Sequence, residues 1–529
     1  MSGIPVFSAG TSLQSSGASV SAQIPADSAG MLPLFVRVTA TAAGYFRLSQ
    51  DGASAAVGDL LVQPSDGLIL KTCGLSQFSF VSQSGASTVT VTPIDVGGTK
   101  YPTNIFTPAA LFATGVNGAW YDPSDFSTMF QDGAGTVPVT AVGQPVGRIL
   151  DKSGRSNHAF NSSGNSANFP VLSARYNLLT KSEQFDDAVV WERANGANGS
   201  APVVTADYEA GPFAGTLADR VQLARTTDSN SFSQLSTLMT SALTNGVTYI
   251  ASVWMKSRSG GVVVDMGSFN GAYGSYKPTV TTEWQRFSYQ WTVSTAASRF
   301  GPLLFQATGT ALTADLLIWG ADLRVANDAL NQPAYQRVNT ATDYDTVGFK
   351  PYLSFNGVNQ WLQTNSIDFT YGDKMFVSAG VRKLSDAATG MLVELGATAP
   401  SGRFYIAAPY PASSVYGFNA KGTTDAEYAA TGYSAPVTNI LSSSYSLQGT
   451  LAQNIIPRVN GVSPVLSITA AGPAGGGNFG NYPLYIGARA GTSLWFNGRL
   501  YGLVVAGKQA SASEITSTET YLNNKTGAY

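Results

Sequence analysis

Residues 118–125 read Gly-Ala-Trp-Tyr-Asp-Pro-Ser-Asp, and residues 151–158 read Asp-Lys-Ser-Gly-Arg-Ser-Asn-His. Together they open a new unit within a chain that reads almost throughout as strands. Val, Thr, Tyr, Phe and Trp recur in runs of about 4–8 residues, separated by Gly, Asn, Asp, Ser and Pro. Residues 34–41, Leu-Phe-Val-Arg-Val-Thr-Ala-Thr, alternate large apolar and polar side chains, and residues 76–82 and 87–93 do the same. Turn signals at Asp51-Gly52, Asp66-Gly67 and Ser84-Gly85 lie between these runs. The expectation is an all-β protein.

Composition narrows the chemistry. The 529 residues contain one cysteine and one histidine, so neither a disulfide framework nor a zinc site of Cys or His ligands is available. Charged residues make up 12%, against roughly 25% in an average soluble domain. The formal net charge of −2 offers no basic field for nucleic acid. No apolar run approaches the roughly 20 residues that span a bilayer. The first positive side chain is Arg37, so no basic, apolar export signal is read at the start, and synthesis in a reducing cytosol is expected. No repeat period and no heptads are present.

Residues 1–97 read as a small β domain, with Gly97-Gly98 and Pro102 marking its end. Beyond it, the paired pattern Trp120-Tyr-Asp-Pro-Ser-Asp125 and Asp151-Lys-Ser-Gly-Arg-Ser-Asn-His-Ala159 resembles the start of the concanavalin A-like (laminin-G, lectin-type) jelly roll of bacteriophage virion proteins. In that family a Leu-x-Phe-x-Gly-x-x-x-x-Leu strand follows soon after. Here it is Leu353-Ser-Phe-Asn-Gly-Val-Asn-Gln-Trp-Leu362, far downstream. The intervening residues begin Tyr176-Asn-Leu-Leu-Thr, pass through Thr248-Tyr-Ile-Ala-Ser-Val-Trp-Met-Lys256, and close with Leu316-Leu-Ile-Trp-Gly-Ala-Asp-Leu323. That order resembles the carbohydrate-binding-module-like jelly rolls of phage tail and virion proteins. The expected organisation is therefore a β domain at 1–97, a discontinuous lectin-like sandwich at 98–175 and 336–529, and a second sandwich inserted at 176–335. Ser511-x-x-Glu514 forms a capping box for one C-terminal helix, with Ile515 and Leu522 on one face and Gly527 at its end.

Few residues suggest catalysis. His158 lies in a polar turn with no nucleophile elbow in the chain, and reads as structural. The carboxylate pairs Asp122/Asp125, Asp186/Asp187 and Asp343/Asp345 read as turn formers, since Asp bonds to nearby backbone. Asp122, Asp125 and Asp151 are the nearest suspects for calcium, but no ligand order supports it, and neither metal nor cofactor is assigned. Aromatic rings stack on the apolar faces of sugars. Trp254 and Trp319, flanked by alternating apolar residues, read as core. The loop-adjacent Tyr273, Tyr276, Tyr410 and Tyr416 are the sugar-facing candidates.

The resemblance implies a phage virion-surface structural protein, either a head fibre or decoration protein or a tail fibre. Residues 1–97 would attach it to other virion proteins, and its lectin-like domains would bind host-surface glycans. A homotrimer on the virion, made in the host cytoplasm, is the expectation, with no nucleic-acid partner and no membrane insertion. Two alternatives stand beside it: a tailspike-like polysaccharide depolymerase, which needs a carboxyl pair across a sugar, and a purely structural component without ligand.

Overall fold

A computed structural model of the chain describes residues 10–26, 32–33, 35–50, 53–64, 67–94, 106–113, 115–237, 243–266, 276–294, 304–307, 311–326, 334–397 and 400–529. They form two compact units, Met1–Thr107 and Pro108–Tyr529, and the fold is all-β. The boundary signals Gly97-Gly98 and Pro102 lie outside the described residues.

The first unit has two four-stranded antiparallel sheets. One is centred on Phe35–Ala40 and Ser87–Ile94, the other on Gly44–Ser49 and Gln77–Ser82. Alternation places Val36, Val38, Val89 and Val91 of one sheet against Phe46, Phe78 and Phe80 of the other. Ser79 is also buried, because its hydroxyl donates to the Ala53 carbonyl at 2.7 Å.

The second unit contains four sheets. A seven-stranded and a ten-stranded antiparallel sheet are built from residues 118–173 and 352–506, and enclose one large apolar core. Met375, Val377 and Ala379 of Lys374–Lys383 point into that core, as do Leu503 and Val505 of Asn497–Ala506. The opposite face of these two strands is buried too, because the helix Ala512–Thr526 lies on it. Gly380 and Gly502 sit opposite each other beneath the helix. A Cβ at Gly380 would come within 2.8 Å of Thr526, and one at Gly502 within 2.8 Å of Leu522, so the close approach requires glycine. The helix has both halves of its capping box, between Ser511 and Glu514, and ends at Gly527 with φ 64°. Its buried face is Thr518, Glu519 and Leu522, while Ile515 is only half-buried. Glu519 accepts two bonds from Arg458, at 2.8 and 3.0 Å.

Two five-stranded sheets use residues 191–325. One runs Trp191–Asn195, Ser233–Thr237, Leu304–Ala307, Val262–Asp265, Thr279–Val280; the other Ser200–Ala210, Leu217–Ala224, Thr313–Val325, Thr248–Ser257, Gln285–Thr292. Their inner faces bury Trp191, Phe305, Val253, Met255, Ile318 and Trp291. Trp191 packs on Phe185 with centroids 4.5 Å apart and donates its indole N–H to the Lys181 carbonyl.

The chain leaves the larger sandwich after Val171–Ser173 and returns at Tyr352–Asn356, which is the antiparallel neighbour of that strand. Two buried carboxamides tie the crossing together. Asn177 donates to the carbonyls of Ala321 and Gln336 and accepts from the amides of Leu179 and Leu323, at 2.9–3.1 Å. Gln336 accepts from the amides of Tyr176 and Asn177 and donates to the carbonyls of Ala174 and Asp345, at 2.7–2.9 Å. Both side chains are fully buried, and each makes every bond an amide can make with good geometry. Replacing Asn177 with Leu keeps the volume but strands four backbone groups, at a cost of about 1–3 kcal/mol for each left unpaired. Asn177→Leu is expected to lower the calorimetric midpoint of the second unit by several degrees; an unchanged midpoint would show the crossing does not depend on this amide.

Candidate functional site

The two segments that open the second unit are built for architecture. Gly118–Tyr121 pairs with the Asn497–Ala506 strand. Asp122 then accepts from the Tyr521 hydroxyl at 2.7 Å and from the Lys525 ammonium at 3.0 and 3.1 Å, pinning the C-terminal helix. Burial pushes the Asp122 carboxyl up, but Lys525, Ser124 and Tyr521 together hold it below the usual range. Asp125 is bonded by Lys152 at 2.5 Å. Asp151 folds its own turn, accepting from the amides of Trp120, Ser153 and Asn157. His158 Nδ1 accepts the Asp151 amide at 3.0 Å. Asp343 and Asp345 share Arg337, and Asp187 caps the Val189 amide. Among the described residues no three His, Cys, Asp or Glu side chains gather to hold a metal ion.

The outer face of the second five-stranded sheet is different. The face away from the core would ordinarily be polar. Here Trp254 and Trp319 stand directly opposite each other across the strand pair, and Arg286 lies opposite Trp254 on the far side. The reading of both as core holds for Trp319, which is buried, while Trp254 is half-buried; neither belongs to the core between the two sheets. Val253, Met255 and Ile318 fill the core, and the tryptophans point the other way, into a satellite cluster with Leu317, Trp284 and Tyr335. Phe213, 49% exposed, leans edge-on over both, with centroids at 5.1 and 5.4 Å. Among the described residues the Trp254 indole N–H has no hydrogen-bond partner.

Charged groups border the rings on the same face. Arg220 grips Asp315 with two bonds, 2.7 and 2.8 Å. Arg258 reaches Asp315 at 3.3 Å and Glu209 at 3.0 Å, and both guanidinium groups lie over the Tyr208 ring, 4.7 and 5.0 Å from its centroid. Aromatic surface next to such hydrogen-bonding groups is what a pyranose ring requires: a flat apolar platform and donors and acceptors at its edge. Sequence reasoning passed over this face because apolar residues occur on both sides of Thr313–Val325, so alternation does not reveal which side is core.

The four tyrosine candidates are not brought together. Tyr273 lies outside the described residues. Tyr276 is half-buried and stacks on Tyr289 at 5.8 Å, against the insertion's core. Tyr416 is fully buried, its hydroxyl accepting from Asn439 Nδ2 at 2.8 Å, so it is a core residue with no sugar-facing surface. Tyr410 packs on Tyr405, 5.6 Å away, on the outer face of the ten-stranded sheet. That face has a polar cluster absent from the sequence candidates. Glu394 is bonded by Arg403 and Arg489 at 3.1–3.2 Å, Tyr405 donates to Glu427, and Arg403 also reaches Asp425 at 2.9 Å. Burial raises the Glu394 carboxyl despite its two guanidinium partners. Its charges are largely satisfied internally.

No protein-family model matches this chain, and no curated protein does. Solved structures do show partial likeness. The sialidase CBM40 domain of Ruminococcus gnavus, bound to sialyllactose, is 13% identical, with 30% of this chain covering 97% of that one at a TM-score of 0.23. The mouse laminin α1 chain domains LG4-5 are 11% identical, covering 50% of this chain and 83% of that one, with a TM-score of 0.24. The tandem CBM22 domains of Paenibacillus barcinonensis Xyn10C are 14% identical, over 66% and 96%, with a TM-score of 0.21. Likeness at this level is no basis for assigning a ligand.

His158 makes the opening motif sensitive to acid. Burial, and then the charge of Arg148, hold its pKa below the usual histidine value, against the pull of Asp151. The neutral ring, which accepts the Asp151 amide, is therefore favoured in the folded state. Its contribution to stability is complete above the unfolded value near 6.5 and is lost as pH falls through the lower folded value. The stability difference between the wild-type chain and His158→Gln, measured by urea unfolding, is expected to shrink as pH falls from 7 toward 5; a difference independent of pH would refute this.

Proposed function

We propose that this chain is a non-catalytic saccharide-binding protein, whose residues 176–335 hold a sugar ring against Trp254, Trp284 and Phe213. The observation that supports this reading is the placement of these rings on the solvent side of a sheet whose own core is filled by other residues. Under this reading the 98–175 and 336–529 sandwich is the rigid support, and the ion pairs around Asp122, Asp125, Asp343 and Asp345 serve architecture rather than sugar cleavage. Glycan-array binding and calorimetric titration of the full chain test it. Trp284→Ala and Phe213→Ala are expected to weaken binding at least tenfold while leaving the thermal midpoint within a few degrees of wild type. Equal binding by the variants would remove the proposal.

The sequence resemblance of residues 120–159 and 353–362 supports a finer reading, in which the chain is displayed on a phage virion. Residues 1–97 would attach it to capsid or tail proteins, and several copies, as a trimer, would raise weak single-site affinity into avidity for a host-surface glycan. Deleting residues 1–97 is then expected to abolish incorporation into particles while glycan binding by the remainder persists. Particles that still carry the truncated chain would refute the attachment role.

A further inference from the structure

We infer that the ligand of the aromatic face is an acidic saccharide, one whose carboxylate or sulfate group meets the Lys256 ammonium. This inference rests on the proposed saccharide-binding role and goes further by naming the chemical class. Lys256 lies two residues beyond Trp254 on the strand Thr248–Ser257 and therefore projects from the same face. It stands directly opposite Leu317, which belongs to the aromatic cluster.

Two acids on this face, Asp315 and Glu209, are already paired with arginines, and Glu183 accepts from the Tyr335 hydroxyl. Asp315 takes both arms of Arg220 and a third bond from Arg258, and Glu209 takes the rest of Arg258. These two cations and two acids balance one another. Among the described residues Lys256 makes no hydrogen bond and no ion pair. It is half-buried, on the same sheet face as Trp254. A sugar ring laid on the tryptophan surface would therefore meet a cation that the protein itself leaves unneutralised. An uncharged ring would use the platform but not the ammonium, while an acidic ring would use both through a charge-assisted hydrogen bond.

Specificity of this kind is read by a paired comparison. The full chain is applied to an oligosaccharide array in which each uronate- or sialate-containing member stands beside its carboxyl-reduced form, and each sulfated member beside its desulfated form. Wild type is expected to bind acidic members about tenfold or more tightly than their neutral partners, with affinity that falls as NaCl rises from 50 to 500 mM. Which pair separates identifies the acid as carboxylate or sulfate. Lys256→Met, which retains the apolar stem, is expected to lose both the preference and the salt dependence while still binding the neutral members, and Lys256→Arg to restore the preference. Equal binding of acidic and neutral partners by wild type overturns this inference and leaves the saccharide-binding role standing. Persistence of the preference in Lys256→Met overturns the placement of the acid group. Absence of binding to every member overturns both readings together.

Discussion

Eight hydrogen bonds made by two carboxamides, Asn177 and Gln336, hold the second unit together where the chain crosses between its sandwiches. At such a crossing the backbone is buried but has left the ladder of either sheet, so its amides and carbonyls need other partners. An amide side chain offers a donor and an acceptor in one plane and replaces a missing strand edge. The strands flanking the crossing, Val171–Ser173 and Tyr352–Asn356, pair directly. Residues 174–351 thus occupy the place of a hairpin loop, and closing a long loop costs little more than closing a short one once its ends are fixed. Asp322 and Arg324, fully buried and joined by bonds of 2.6 and 2.7 Å, reinforce the same junction through the Gln336 amide and the Ala334 carbonyl.

The two outer sheet faces show contrasting ways of treating charge. On the ten-stranded sheet Glu394 and Asp425 are paired with Arg403, Arg489 and Lys421, both arginines lie over the Tyr405 ring, and Glu427 accepts from the Tyr405 hydroxyl. Burial of Glu394 is tolerated because two guanidinium groups bond its carboxylate. On the inserted sandwich the ion pairs stay at the rim and the centre is aromatic. The first arrangement stiffens a sheet, and the second leaves apolar surface available to a partner in solution.

Much of this architecture was legible in the chain. The alternation in residues 34–41, 76–82 and 87–93 places Val36, Val38, Phe78, Phe80, Val89 and Val91 in the core of the first unit, as period-two patterning requires. The capping box at Ser511 and Glu514 and the left-handed Gly527 bound the helix where local rules put them. The helix face was less legible. Glu519 is buried and Ile515 half-exposed, because Arg458, distant in sequence, supplies the partner that makes a buried carboxylate acceptable. Tyr416 looked loop-adjacent and is central, since Asn439 on a neighbouring strand satisfies its hydroxyl within the core.

Local sequence alone determined that the chain would be all-β, where its C-terminal helix would begin and end, and that one histidine and one cysteine could not build a disulfide framework or a zinc site of Cys or His ligands. These follow from interactions between residues a few positions apart, or from composition. Which face of a strand is core was decided only by tertiary structure. Residues 313–325 are apolar on both sides, and the strand shifts register between Ser252 and Trp254 against it, near Gly320 with its φ of 68°. Trp254 and Trp319 face away from that core because they alternate with Val253, Met255 and Ile318, and the irregularity lets Thr313–Val325 change its core-facing parity beyond them, to Ala321 and Leu323; only the neighbouring sheet determines which face is covered.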